Sequence, residues 1–78
     1  MDIDELRTVL SSGLGDCDID IQMDGNKISL SLIADIFAGL SRVKRQQLVY
    51  SLLNDMIASG AIHAVTMRTV TPEEQSNS

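Results

Sequence analysis

The polar and apolar positions of this 78-residue chain follow two different periods. Over residues 2–13 the apolar side chains recur every three or four positions, which predicts an amphipathic helix. Asp2 followed by Glu5 resembles a capping box in which Asp replaces the usual Ser or Thr. Gly13 and Gly15 are typical of a helix end, so the first predicted element stops there.

Two strictly alternating segments follow, separated by a turn signal. In DIDIQM the residues Ile19, Ile21 and Met23 share one face, and KISLSLI continues the alternation. The intervening DGN is a strong hairpin signal. Two strands that each have one apolar and one polar face predict an antiparallel hairpin covered on one side only.

The second half of the chain returns to helix and then strand. ADIFAGLS predicts a single helical turn that directs Phe37 inward, and Ser41 is a typical N-cap for the helix after it. The apolar stripe of that helix consists of Val49, Leu52, Leu53, Met56 and Ile57. IHAVTMRTV has period two, and the strand ends at the following Thr-Pro because Pro cannot donate to a ladder. Residues 72–78 are predicted to be a frayed tail.

The predicted order is therefore α-β-β-α-β, with a short extra turn before the second helix. A strand, a crossover helix and a second strand form a right-handed parallel unit, so the third strand is expected to lie parallel to the second. This arrangement is an α+β fold. It is a two-layer sandwich in which helices cover one face of a three-stranded mixed sheet, and one domain spans residues 1–78.

Composition narrows the class of protein. Hydrophobic residues make up 44% of the chain and aromatic residues only 3%, so the core is expected to be aliphatic. No stretch approaches the ~18 apolar residues of a membrane span. The N-terminal MDIDEL lacks the basic and apolar regions of a signal peptide, and the single Cys17 cannot form an internal disulfide. We therefore expect a cytoplasmic protein with no membrane partner.

The net charge of −5 is distributed unevenly. Residues 1–40 carry eight acidic and two basic residues, a net charge of −6. Residues 41–70 have a net charge of +3, from Asp55 and the four bases Arg42, Lys44, Arg45 and Arg68. This basic region on an acidic body is by default a solvated face. The total charge argues against strong non-specific binding to nucleic acid.

His63 is the only histidine and Cys17 the only cysteine. Together they cannot close a four-ligand metal site, so a metal centre would need ligands from another molecule. The third predicted strand begins at His63 and runs parallel to the second, which places His63 at the hairpin end. Cys17 lies at the opposite end, ~20 Å away. From the residues alone, His63 is most simply a hydrogen-bonded residue at a strand end.

The chain also lacks the residue patterns that support catalysis. It has no nucleophile–base pair, no phosphate-cradling glycine loop and no plausible carboxylate dyad. We therefore expect no enzymatic activity and no small-molecule substrate.

Two segments resemble the BolA family. They are FAGLSRVKRQQLVYSLL, residues 37–53, and GAIHAVTMRTVTPEE, residues 60–74. The SRVKRQQ sequence is similar to that of the short, IbaG-type bacterial members, and the resemblance covers nearly the whole chain. The resemblance implies an α-β-β-α-β fold similar to a class II KH domain, in agreement with the order predicted from periodicity.

The resemblance implies a partnership with a monothiol glutaredoxin in iron–sulfur cluster assembly or trafficking. In the implied complex the two proteins share a [2Fe-2S] cluster. The glutaredoxin supplies a cysteine and a bound glutathione thiolate, and the BolA-like protein supplies an imidazole. His63, in the I-H-A motif, is the implied ligand. Imidazole in place of thiolate raises the reduction potential of such a cluster, as in Rieske centres. No cofactor is expected in the isolated protein.

The hairpin loop departs from the family pattern. Many members carry a second His or Cys ligand there, whereas this chain offers Asp24, Asn26 and Lys27, with Lys27 where the histidine usually stands. A protonated Lys is no ligand to iron. Three alternatives stay open: a cluster held by His63 with a carboxylate or water, a more labile cluster, or a complex without a shared cluster.

Direct DNA binding, as a transcriptional or stress-response regulator, is the alternative function that the resemblance implies. Residues 42–47 can be interpreted as the start of a recognition helix, with Arg45 and Gln46 or Gln47 at base edges. The acidic total and the absence of the G-x-x-G clamp of KH domains weigh against it. In both functions the surface for the partner or nucleic acid is expected to include Arg42, Lys44, Arg45, Gln46 and Arg68.

Overall fold

The computed structural model describes residues 2–77. Met1 of the predicted domain and Ser78 of the predicted tail lie outside them. The elements, in chain order, are α1 (Ile3–Leu14), β1 (Cys17–Asp24), β2 (Lys27–Ala34), a 3-10 turn (Asp35–Phe37), α2 (Arg42–Ala58), β3 (Ala64–Val70) and α3 (Pro72–Ser76). The predicted α-β-β-α-β order is confirmed, and a third helix follows it.

Capping residues that are recognisable in the sequence set the helix boundaries. Asp2 caps α1 by accepting from the backbone N–H of Asp4 at 3.0 Å. The helix ends at Gly15, which has a φ of 73° that only glycine adopts readily. Ser41 caps α2 as predicted, by accepting from the N–H of Lys44 at 3.2 Å.

The strands form one sheet in the order β1-β2-β3. β1 and β2 are antiparallel, whereas β2 and β3 are parallel, so the predicted mixed sheet is confirmed. Gly25 has a φ of 61° in the hairpin turn, as a type II′ turn requires of its first central residue. The registers Asp24↔Lys27 and Lys27↔Ala64 place the hairpin beside the start of β3.

The core lies between the helices and one face of the sheet. Its buried residues are Leu6, Leu10, Leu14, Ile28, Leu30, Leu32, Ala34, Phe37, Val49, Leu53 and Ile62. The predicted stripe of α2 is core only in part, because Ile57 is exposed while Leu52 and Met56 are half-buried. A Cβ added at Gly13 would overlap the side chain of Leu52, so this glycine lets α1 and α2 approach closely.

An arginine covers part of each edge of the sheet. The Arg7 Nη1 of α1 donates to the carbonyl of Ile19 on β1 at 2.7 Å. The Arg45 Nη1 of α2 donates to the carbonyl of Thr69 on β3 at 3.0 Å. Unpaired strand edges are templates for association with other chains, and covering them is a common protection.

The predicted frayed tail is a helix over most of its length. Thr71 and Glu74 form a reciprocal capping box, and Pro72 occupies the first helical turn. A helix this short has little stability of its own. Two side-chain contacts attach it: the carboxylate of Glu74 binds Arg45 of α2 at 2.7 Å, and the side chain of Gln75 accepts from Arg68 of β3 at 2.8 Å. The prediction for this segment was wrong because the contact with Arg45 is long-range.

None of the helices within residues 2–77 is both long and apolar enough to cross a bilayer.

Candidate functional site

His63 lies in the short connection between α2 and β3. Its backbone N–H donates to the carbonyl of Asn26 in the hairpin turn at 2.9 Å. The preceding Ile62 is buried in the core and donates its N–H to the carbonyl of Met56 at 3.2 Å. The His63 side chain itself is exposed. The backbone is therefore anchored to the helix layer and to the hairpin, while the imidazole is accessible from solvent.

The hairpin turn and His63 meet at the same end of the sheet, as the topology predicted. Lys27 is paired with Asp24 on one side and with Ala64, the neighbour of His63, on the other. Adjacent strands lie about 4.8 Å apart, so His63 and the turn are neighbours. A shallow cleft of about 340 Å³ at this end is lined by Gln22, Met23, Asp24, Lys27, Ile28, Ser29, Ala64 and Thr66.

Cys17 lies at the other end of the sheet, as predicted. It is paired with Ala34, the last residue of β2, whereas Lys27 is the first. At ~3.3 Å per residue along β2, these ends are about 23 Å apart. Partial burial, together with the charges of Asp18 and Asp16, raises the pKa of the Cys17 thiol. Cys17 is therefore too far from His63 to share a metal ion with it, and its raised pKa disfavours the thiolate that would bind a metal.

Arg45 does not belong to the exposed basic surface where the sequence placed it. Its Nε donates to the carbonyl of Leu40 at 3.0 Å, and its Nη1 donates to the carbonyl of Thr69. Nη1 and Nη2 bind the two carboxylate oxygens of Glu74 at 2.7 and 3.1 Å. The guanidinium also lies 5.9 Å from the ring centroid of Phe37. With its side chain only 12% exposed, Arg45 joins α2, β3 and α3.

The other predicted surface residues lie far from His63. Arg42 and Lys44 are exposed in the first turn of α2, and Gln46 and Arg68 line a groove beside the C-terminal half of β3. The N-terminal turn of α2 lies near the C-terminal end of β3, because Arg45 of this turn contacts Thr69. Thr69 is ~20 Å along the strand from His63 at ~3.3 Å per residue. The predicted site residues thus form two regions at opposite ends of β3.

This division bears on the DNA-binding hypothesis. A recognition helix that starts at Arg42 would retain Lys44 and Gln47 as exposed side chains, but Arg45 is engaged within the protein. DNA binding stays a prediction. Arg45, which was expected to contact base edges, has a structural role instead.

Residues 18–74 match the model of the family described as BolA-like protein. The chain belongs to the BolA-like family. It is 36% identical to the acid stress protein IbaG of Escherichia coli (strain K12), over 95% of this chain and 88% of that protein. The BolA domain of SufE1 from Arabidopsis thaliana superposes with a TM-score of 0.84 at 29% identity, over 91% and 92% of the two chains. BolA1 from the same plant gives a TM-score of 0.82 at 27% identity, also over 91% and 92%.

The donor set of this BolA-like chain fits the contribution of one ligand to an iron–sulfur cluster. A [2Fe-2S] cluster is held by four protein ligands, of which two can be imidazole. Among residues 2–77 no group of three or more His, Cys, Asp or Glu side chains could hold a metal ion. His63 offers one accessible imidazole, and Lys27 beside it offers an ammonium without a lone pair. The other ligands of such a cluster would therefore have to come from another molecule.

Sequence inspection missed the Arg45–Glu74 connection, although one half of it has a local signal. The local signal is a capping box, formed by Thr71 and Glu74, with Pro72 at the first helical position. That pattern predicts a helix start but says nothing about Arg45, which is 29 residues from Glu74.

The ionisation of Glu74 should control how firmly the BolA-like chain holds α3. Its hydrogen bonds with Arg45, and then with the N–H of Thr71, lower the pKa of Glu74 from 4.5 to about 2. Because the pKa is lowered on folding, the stabilisation is complete above about pH 4.5 and is lost as the pH falls towards 2. We expect the Nε–H resonance of Arg45 to shift over this range, because its guanidinium binds the Glu74 carboxylate, and Glu74→Gln to remove that shift. A wild-type Arg45 resonance that stays constant there would contradict this assignment.

Proposed function

We propose that this BolA-like protein is a partner of a monothiol glutaredoxin in iron–sulfur cluster assembly or trafficking. In the proposed complex His63 is a ligand to a shared [2Fe-2S] cluster. The observation that carries the proposal is the placement of His63, whose imidazole is exposed while its backbone is fixed to Asn26. Membership of the BolA-like family and the likeness to the BolA domain of plant SufE1 support it.

The local structure suits the role of a single ligand. The N–H of His63 is held by the hairpin and Ile62 is buried, so the entropy of ordering the ligand backbone is already lost before the partner binds. The partner would approach from the hairpin end of the sheet and supply its cysteine and glutathione thiolate. The cluster is then a transferable cargo, with imidazole in place of a thiolate to raise its reduction potential.

Lys27 has a different role in this proposal from the histidine found at its position in many family members. Its ammonium carries three N–H donors and a positive charge. It would therefore compensate the negative charge of the partner's thiolates rather than bind iron. A shared cluster with His63 as the only ligand from this chain is expected to be more labile than one with two histidines.

Reconstitution with a monothiol glutaredoxin tests the proposal. The two proteins are mixed with glutathione, iron and sulfide, and the product is followed by size-exclusion chromatography, visible absorption and circular dichroism. We expect a heterodimer whose visible circular dichroism differs from that of the glutaredoxin alone. Failure to form any complex, with or without cluster, would contradict the proposed function.

A gain-of-ligand variant tests the interpretation of the hairpin. We expect Lys27→His to change the visible spectrum of the complex and to slow cluster loss to a chelator by about tenfold, the lower range for effects on metal affinity. Lys44→His, on the exposed first turn of α2 and distant from His63, is the matched control and should leave the loss rate unchanged. Equal loss rates for Lys27→His and wild type would show that position 27 does not reach the iron.

A further inference from the structure

The outer edge of β3 is open over its first half. The Thr69 carbonyl must point away from β2, because the guanidinium of Arg45 reaches it from the outside. Backbone groups of alternate residues in a strand point to the same side, so the N–H and C=O groups of Val65 and Met67 also face outward. In the part of the chain that the structure describes, no side chain covers these two residues as Arg45 covers Thr69. They offer a short free edge for strand pairing.

Helix α2 lies beside this edge, and a groove between α2 and the C-terminal half of β3 continues from the open stretch at Met67. The groove has a volume of about 510 Å³ and is lined by Arg42, Gln46, Met67, Arg68, Thr69, Val70 and Glu74. Val43, Tyr50 and Ile57 recur every seventh residue along α2 and are 60%, 42% and 39% exposed. Gln46 is the helical neighbour of both Val43 and Tyr50, at spacings of three and four residues, so this exposed apolar stripe borders the groove.

The groove has a positive charge. Arg42 and Arg68 both line it and both are exposed. The Arg68 guanidinium donates to the Gln75 side chain at 2.8 Å and forms no salt bridge with an acidic side chain among residues 2–77. The one acid of the groove, Glu74, is paired with Arg45. A positive groove that continues along β3 into an open strand edge, with exposed apolar side chains on the neighbouring helix, has the features of a site for an acidic extended segment.

We propose that the outer edge of β3 binds an extended segment of a partner protein as a fourth strand. The segment alternates apolar and acidic residues. Its backbone pairs with Val65 and Met67, its apolar side chains pack under the stripe Val43, Tyr50 and Ile57, and its carboxylates bind Arg42 and Arg68. This surface is independent of iron and of the proposed role of His63.

A second copy of this chain is a poorer occupant. Its one strand that alternates apolar and acidic residues is β1, and the apolar residues of β1 already pack against the core under α1. Arg7 also covers the carbonyl of Ile19 on the outer edge of β1. Pairing β1 of one molecule with β3 of another would bring two helix layers together and would propagate without closure.

Titration with a designed peptide tests the proposal on the isolated, iron-free protein. The probe is an end-blocked peptide that alternates valine and glutamate, and the control peptide alternates valine and lysine. We expect the acidic peptide to shift the amide resonances of Val65 and Met67 and to slow their hydrogen exchange, with affinity that falls as salt is added. The lysine peptide should give no binding.

Charge reversal supplies the matched variants. Arg42→Glu should weaken the acidic peptide about tenfold or more, because a carboxylate then faces a carboxylate. Lys44→Glu makes the same change two residues away, outside the groove lining, and should alter the affinity less than twofold. An equal loss in both variants, shifts confined to other residues, or binding of both peptides alike would each overturn the proposal. So would concentration-dependent shifts of Val65 and Met67 without peptide, which would identify a second copy as the occupant.

Discussion

His63→Ala is expected to remove the characteristic visible circular dichroism of the reconstituted complex with a monothiol glutaredoxin. His63 offers the only imidazole of the chain, and Cys17, the only thiol, lies at the opposite end of the sheet from it. Loss of groups that merely orient a ligand costs ~10–100-fold in metal affinity, so loss of the ligand itself should cost at least ~100-fold. The measurement is the rate of cluster loss to a chelator, followed by visible absorption.

Two comparisons make this result specific. Cys17→Ser changes the only thiol of the chain, which lies on β1 beside the far end of β2, and should leave spectrum and loss rate unchanged. Thermal unfolding of isolated His63→Ala should match that of wild type, because the exposed imidazole makes no hydrogen bond with residues 2–77 and the backbone N–H that binds Asn26 is retained. A wild-type spectrum from the His63→Ala complex would exclude His63 as a ligand.

Arg45→Ala is expected to cause the largest loss of stability among the polar substitutions. It removes the donor to the carbonyls of Leu40 and Thr69 and the partner of Glu74. Leaving partly buried carbonyls without donors should lower the free energy of unfolding by about 2–3 kcal/mol. In a domain of this size each kcal/mol corresponds to about 4–8 °C in Tm. Urea unfolding measures the change, and hydrogen exchange of α3 should accelerate.

The matched control for Arg45→Ala is Arg42→Ala, which removes an exposed guanidinium from the same helical turn and should change the free energy of unfolding by less than about 0.5 kcal/mol. Arg45→Lys keeps the charge but not the planar set of donors, so it should recover only part of the stability. Equal stabilities for Arg45→Ala and Arg42→Ala would contradict the structural role of Arg45.

The two regions of the protein allow two separate kinds of contact. The hairpin end presents His63 and the charged turn residues Asp24 and Lys27, while the groove at the opposite end of β3 presents Arg42 and Arg68. At ~3.3 Å per residue the ends of β3 are ~20 Å apart, so a small partner bound at His63 leaves the Arg42 and Arg68 end of the groove accessible, although it would lie close to the pairing residue Val65. The His63 variants and the Arg42 variants therefore test separate proposals.

Local sequence patterns were sufficient to predict the helices and strands up to residue 70 and the position of His63. Period two in β1 and β2, the DGN turn and the Ser41 cap are local signals, and they report the backbone states of their own residues. The position of His63 needed only one rule of topology. A strand that follows a crossover helix lies parallel to the strand before the helix, so its start meets the turn at which that strand began.

The structural roles of Arg45 and of residues 72–76 depend on long-range contacts in the folded protein. In sequence, Arg45 is one of three bases in a run typical of a solvated helix start, and PEEQS is too short to predict a stable helix. Their assignments depend on contacts between residues separated by 24 and 29 positions, Arg45 with Thr69 and Arg45 with Glu74. Local patterns carry no information about such contacts, since the energy of an ion pair or a covered carbonyl depends on which groups the fold brings together.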